Sequence, residues 1–542
     1  MKYFSLYLLF LASTTCLAQY NSGITYPDKS EAIVEDTNNV AVMLANSISA
    51  KDLKRHLFTL ASDEYEGRDT GEKGSDLAAT YIANYFKDMG LPTLGKENNY
   101  FQRVAFNRAS WKNNTLIVNG EEYKHLWEYM SMPALNEDLP FMEADEIIYL
   151  GYGIEDANYS DYKNVDISGK IIMINDGEPM DKNGNYFVTG TTTPSLWTED
   201  VLLKLKLAKE KGAKLVLIIS NNLPEILGEN RRFLTSPRLQ LGDGDYKTDF
   251  ANHAMISTNI AKAIIGKKTR KIKRWRKRNR KKGKSKALTF KSDLEVSMAK
   301  ELEVIAGNNV LGYIEGTDKK DELVVISAHY DHLGKTGNDI YNGADDNASG
   351  TSTVMEIAEA FQLAKELGVG PRRSVLCLLV TGEEKGLLGS EYYSEFPVFP
   401  IENTVVNVNI DMVGRVDEKH AEDPNYIYVI GSDRLSTDLH KINEKANQKY
   451  AQLILDYQYN DEQDPNRYYY RSDHYNFARK GVPAIFFFNG THEDYHRTSD
   501  TADKIEFEKM EKRGRLFFHT AWELANRPDR IVVDGVVEED GR

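Results

Sequence analysis

Four short apolar runs set the pattern of the second half of the chain. Leu323 to Ile326, Val375 to Val380, Val405 to Ile410 and Ala484 to Phe488 are brief, rich in branched or aromatic residues and bounded by polar ones. Strands covered on both faces of a parallel sheet look like this. The first run leads to His329 and Asp331, the second to Glu383 and Glu384, and the third to Asp411. The fourth leads through Asn489, Gly490 and Thr491 to Tyr495 and His496. In an open α/β sheet the carboxyl ends of the strands form the crevice where ligands bind. A His, Asp and Glu set at that edge is the donor set expected of zinc in a hydrolytic site.

Asp345, Asp346 and Asn347 follow the first run in a Gly-bounded loop, and Ser349 is placed to cap a helix carrying Val354, Ile357, Ala358, Phe361 and Ala364 at helical spacing. Upstream, Leu53, His56, Leu57 and Leu60 predict one helix, and Ala78, Ala79, Ile82, Ala83, Tyr85 and Phe86 a second, ended by Gly90 and Pro92. Tyr100 to Phe106 reads as the first strand of the main sheet.

Between about Ser110 and Met298 the texture changes. Strand-like runs at Ile147 to Leu150, Ile171 to Ile174 and Leu215 to Ile219 alternate with Gly- and Asp-rich turns, and their ends carry no His, Asp and Glu set. This predicts an inserted domain over residues 110–298, dividing a catalytic domain into residues 49–109 and 299–530, with a tail over 531–542.

Met1 to Ala18 joins a Lys to an apolar core and small residues before Gln19, the pattern of a secretory signal peptide. Residues 19–48 read as an exposed leader. The expected location is therefore outside the cytoplasm, periplasmic or extracellular. Without the peptide only Cys377 remains, so no intramolecular disulfide can brace the fold. No later stretch is apolar enough to cross a bilayer.

At 542 residues, with 68 Lys and Arg against 82 Asp and Glu, the chain is acidic and nucleic acid is not an expected partner. Lys267 to Lys286 is the exception, with 14 basic residues and no acid, which leaves −28 on the rest of a chain whose total is −14. The functional reading is a polyanion contact with Trp275 stacking or sitting at an interface. The plain reading, a solvated loop or surface helix, is favoured because no partner motif accompanies it.

The motifs SAHYDHLG, NGADDNASG, VTGEEKGLLGSEYY, NIDMVGR, RSDHYNFARKGVPA and YHRTSDT, in this order, resemble metallopeptidase family 28, the co-catalytic zinc exopeptidases. GYGIEDANY, DISGKIIMIND and AKEKGAKLVLIIS resemble the protease-associated domain that many members carry as an insertion. The resemblance implies an α/β fold: a three-layer α/β/α domain with a mostly parallel central sheet, plus an inserted β-rich domain. It implies two Zn2+ per chain, with His329 and Asp411 on one, Glu384 and His496 on the other, and Asp346 bridging. It further implies Glu383 as general base, Asp331 orienting His329, and Tyr495 holding the oxyanion. Pattern alone does not decide which of Glu383 and Glu384 binds metal.

The chemistry supports such a set independently. Paired ions need a shared carboxylate and lower the pKa of a water between them. A carboxylate off the metals must take that water's proton and pass it to the leaving amine. A ligating His generally donates its other N–H to a carboxylate, and Asp331, two residues on from His329, is well placed for that. His332 and His474 are assigned to structural hydrogen bonding, His492 to shaping the loop before His496, and Asp345 to a loop carboxylate beside the ligand Asp346. Arg471 either contacts substrate or pairs with Asp473.

The expected activity is an aminopeptidase acting on peptides with a free amino terminus. A carboxypeptidase or amide hydrolase of the same fold, with Arg471 receiving a carboxylate, is the alternative. A non-catalytic peptide-binding module is the alternative of another class, disfavoured by the complete ligand set.

Overall fold

The computed structural model describes residues 39–94, 99–229, 234, 238–244 and 247–537. The expected signal peptide and the part of the expected leader up to residue 38 lie outside the described residues. Residues 39–48 are not an exposed leader: Val40–Ala45 is a helix capped by the Asn39 side chain, and Leu44 and Ile48 are fully buried. Burial of such side chains contributes about 1.5–3 kcal/mol each, which holds a single helical turn and a half that would not persist alone.

The molecule is built around a sheet whose centre is parallel. Strand Lys319–His329 pairs in parallel with Arg373–Val380 on one side and Thr404–Ile410 on the other. Thr404–Ile410 in turn pairs in parallel with Ala484–Phe488. Parallel neighbours lie about 4.8 Å apart and point the same way, so all four apolar runs end along one edge. Tyr426–Ile430 flanks Ala484–Phe488 antiparallel, and Leu288–Ile314 flanks Arg373–Val380 antiparallel.

Alternation along Lys319–His329 feeds two cores. Val324, Ile326 and Ala328 face a core shared with residues of helices Ala50–Leu60, Lys73–Asp88, Gly350–Glu366 and Phe507–Asn526. Leu323 and Val325 face a smaller core closed by Tyr393 and Phe477. The result is a three-layer α/β/α unit.

Strands Phe101–Val118 and Leu288–Ile314 are antiparallel partners from Phe101↔Val310 to Val118↔Leu294. The expected boundaries after residues 109 and 298 fall inside these strands. The chain enters and leaves the insert along one continuous two-stranded ribbon and not through linkers, because neither strand is interrupted by Pro or a turn. Beyond the ribbon, Leu139–Tyr149, Ile171–Asn175, Leu215–Ser220 and His253–Ser257 extend the same sheet in parallel order. Leu205 and Ala208 of helix Val201–Glu210 cover one face; Ile260 and Ile264 of Thr258–Ile265, with Ile272 and Trp275 of Thr269–Lys282, cover the other. Trp275 is therefore a core residue, buried at 6% exposure, and not available for stacking on a partner. No described helix is long and apolar enough to cross a membrane.

Candidate metal centre

The carboxyl edge of the parallel strands gathers the donors expected there. His329 ends its strand, Glu383 and Glu384 lie just past Val380, Asp411 follows Ile410, and His496 lies on the loop after Phe488. Asp346 comes from the turn Ala344–Ser349 that precedes helix Gly350–Glu366. His329 Nε2 stands 3.3 Å from Asp411 Oδ1 and 3.4 Å from Asp346 Oδ1. His496 Nε2 stands 3.0 Å from Asp346 Oδ2 and 3.4 Å from Glu384 Oε2. The two oxygens of Asp346 thus face two separate groups. Glu383 Oε2 lies 3.9 Å from His329 Nε2, on the first side. Imidazole nitrogens and carboxylate oxygens converging this closely form a donor set that fits zinc. Donor atoms of His329, Glu383 and Asp411 lie within 4.8 Å of one another, and so do those of His332, Asp346 and Glu384.

Charge follows from this crowding. Burial opposes ionisation of Glu384, but the His496 charge and the close imidazoles of His496 and His332 hold its carboxyl well below the usual range. For Glu383, burial and the carboxylates of Glu384, Asp411 and Asp473 outweigh His329 and push the carboxyl well above that range. Burial lowers His496, yet Glu384 and Asp346 bring it up to about 11. The Tyr495 phenol is raised by burial and by Asp346 and Glu384, so it stays protonated and can donate.

The supporting contacts differ in part from expectation. His329 Nδ1 lies 3.1 Å from the main-chain carbonyl of Asp331, whose carboxylate is farther, at 3.9 Å. That carboxylate instead accepts the Thr70 hydroxyl at 2.8 Å and the Glu383 main-chain N–H at 3.2 Å. Asp331 orients His329 through its backbone and Glu383 through its side chain. Ser472 donates its hydroxyl to Asp411 Oδ2 at 2.7 Å, turning the other oxygen toward His329.

Three residues with supporting roles were not legible in the sequence. Arg68 is fully buried and donates to the carbonyls of Leu60, Tyr330, Asn342 and Gly343 at 2.5–2.8 Å. It braces the segments that carry Asp331 and Asp346. Asp500 accepts the main-chain N–H groups of Asp345 and Asp346 at 3.1 and 3.2 Å. Its only sequence signal is membership of YHRTSDT. His332, assigned to plain structure, is fully buried with Nδ1 2.7 Å from Glu384 Oε1. Asp345 and His492 form a pair at 3.1 Å that pins the loop before His496, and His474 packs against Phe486.

A cleft opens over the donors. Met412, Tyr468, Phe486 and Phe488 form its apolar wall, and Tyr495 and Arg471 its polar one. The Arg471 guanidinium lies over the Tyr468 ring, 4.9 Å from the centroid. Asp473 instead accepts the Ser390 hydroxyl at 2.6 Å.

A parallel α/β sheet whose carboxyl edge holds two donor groups joined by one aspartate defines an α/β domain with a candidate metal centre. Residues 309–521 match the model of Peptidase family M28. Among curated proteins, the chain is 27% identical over 263 residues to a probable zinc metalloprotease of Pyrenophora teres f. teres, covering 41% of this chain and 52% of that protein. It is 27% identical over 216 residues to aminopeptidase YwaD of Bacillus subtilis, covering 39% of this chain and 42% of that protein. The chain thus spans about half, or less, of the length of these relatives. Among solved structures, an aminopeptidase from Aneurinibacillus sp. strain AM-1 matches with a TM-score of 0.54 at 19% identity, covering 92% of this chain and 98% of that one. At that identity the likeness is one of fold.

Proposed function

We propose that the chain is an exported zinc-dependent exopeptidase that removes residues from the free amino terminus of peptides, with two zinc ions per chain. The observation that carries this reading is the Asp346 carboxylate, with one oxygen 3.4 Å from His329 and the other 3.0 Å from His496. That is the arrangement a carboxylate shared between paired ions requires. His329 and Asp411 would hold one ion, and Glu384 and His496 the other. When bound, the ions supply polarisation of the scissile carbonyl and acidification of a water.

The chain's own residues do the rest. Glu383, held by its backbone to Asp331, takes a proton from the attacking water and returns it to the leaving amine. Tyr495 donates its phenol proton as a hydrogen bond to the developing oxyanion. The wall of Met412, Tyr468, Phe486 and Phe488 receives the side chain of the residue to be released. A complete donor set favours catalysis over a binding module.

A second reading draws on Arg471, whose cation at the rim of the same cleft suits a substrate carboxylate and hence a carboxypeptidase or amide hydrolase. Rates on a peptide with a free amino terminus and on its acetylated form separate the two. The aminopeptidase reading requires the acetylated form to be cleaved at least about a hundredfold more slowly, and equal rates would refute it. Glu383→Gln should retain two zinc ions and lose about a thousandfold or more in kcat.

A further inference from the structure

The most unusual surface of the molecule lies on the insert, far in sequence from the donor residues. Thr269–Lys282 is a 14-residue helix, about 21 Å long. It is a defined element, fastened by its buried side: Ile272, Trp275 and Asn279 face the protein. The Trp275 ring meets Tyr149 edge-on at 5.1 Å, and its N–H donates to the Lys286 carbonyl at 2.9 Å. The Asn279 amide donates to the Tyr159 hydroxyl at 2.8 Å. Gly283 ends the helix in the left-handed conformation at φ 59°, with its N–H on the Asn279 carbonyl at 2.7 Å.

All 14 Lys and Arg residues between Lys267 and Lys286 are exposed. Among the described residues none of them pairs with a carboxylate. Like charges three and four residues apart destabilise a helix, and four cations at the amino end with no acid in the first turn oppose the helix dipole. Arg280, Lys281 and Lys282 in the last turn suit the dipole and the buried side holds the helix in place, but the remaining repulsion favours an anionic partner from outside.

At about 100° per residue, the cations fall into three parallel rows. Arg270, Arg274, Lys277 and Lys281 project directly away from the buried side. Lys273, Arg276 and Arg280 line one flank, and Lys271, Arg278 and Lys282 the other. A single anionic chain presents its charges along one line and meets one row. A plane of anionic headgroups meets the outward row and the outer parts of both flanks together. Every apolar residue of the helix faces inward, so it offers no ring on which bases could stack and no apolar face to enter a bilayer. What remains is peripheral, purely electrostatic contact, for which a cluster of four to eight basic residues is already sufficient.

We infer that Thr269–Lys282 docks the protein on an anionic lipid surface through phosphate-bearing headgroups, with the acidic remainder of the chain turned away. The inference does not depend on the catalytic reading. The test is co-sedimentation of the full chain with phosphatidylcholine vesicles, with and without about 30% phosphatidylglycerol, between about 50 and 300 mM salt. Partition onto the anionic vesicles only, falling steeply with salt, is expected. Replacing the outward row by Arg270→Gln, Arg274→Gln, Lys277→Gln and Lys281→Gln should weaken partition several-hundredfold, roughly fivefold per cation. The circular dichroism spectrum should not change. If the fourfold variant misfolds, Lys277→Gln with Lys281→Gln should still give a loss of about 25-fold. No partition at low salt, equal partition by the variants, or helix-dependent binding of duplex DNA or an acidic polysaccharide without binding to vesicles would each overturn the inference.

Discussion

The carboxylate of Asp331 accepts the main-chain N–H of Glu383 at 3.2 Å. One buried acid, reaching His329 with its carbonyl and Glu383 with its side chain, sets the distance between a metal donor and the proposed base. Asp331→Asn keeps the shape and removes the charge. It should lower kcat by about 10–100-fold, with zinc content intact and KM nearly unchanged. Wild-type kinetics in this variant would show that the contact is packing alone.

The second contact to examine is His332 against Glu384, 2.7 Å apart. If His332 fixes the orientation of Glu384, His332→Gln should weaken zinc binding by about 10–100-fold, read by titration against a competing chelator. Unfolding of the metal-free protein should shift little, since the substituted side chain keeps a polar end near the same carboxylate. A large loss of metal-free stability with unchanged zinc affinity would return His332 to a purely structural role.

Removal of metal should be visible in stability itself. Asp346, Glu384 and Asp411 are buried or nearly so and crowd one edge of the sheet, where uncompensated negative charge opposes folding. Chelation should lower the unfolding temperature, and zinc at a hundredfold excess over its Kd should restore about 2.7 kcal/mol per site. Calorimetry with and without chelator checks this, and coincident traces would contradict it.

A pH effect is expected away from the metal centre. Glu356 is buried beside His56, 3.2 Å away. Burial first, then Glu359, raise its carboxyl to about 8, while burial and Arg55 lower His56 to about 4. An acid whose folded pKa lies above its unfolded value binds its proton more tightly in the native state. Stability is therefore lost as pH rises from about 4.5 towards 8. Glu356→Gln cannot ionise, so its stability relative to wild type should grow across that window, by on the order of 2 kcal/mol at its upper end. Urea unfolding at pH 5 and pH 8.5 measures the difference, and a constant offset would rule out the ionisation.

The parallel strands and their terminal donors were legible because a strand buried on both faces leaves a short unbroken apolar run, and the residue after it must lie at the sheet edge. The domain boundaries were not, because Phe101–Val118 and Leu288–Ile314 carry one uninterrupted strand pattern through both units. Arg68 escaped notice because its partners are main-chain carbonyls, which no residue pattern encodes. Trp275 was open to misreading: in a run of cations it reads as exposed, and only its spacing with Ile272 and Asn279 marks the inward side. The order of Glu383 and Glu384 was supplied by resemblance; Glu383 lies 3.9 Å from His329, and Glu384 lies 2.7 Å from His332 and 3.4 Å from His496.

The shared ribbon has an implication for how such a protein is assembled. Ala109 lies directly across from Leu302, one strand spacing away at about 5 Å. A tight turn joining those two positions would close a short hairpin and release the entire insert, leaving the strand order around the donors untouched. A unit attached this way could be removed without moving any of the residues gathered at the donor edge.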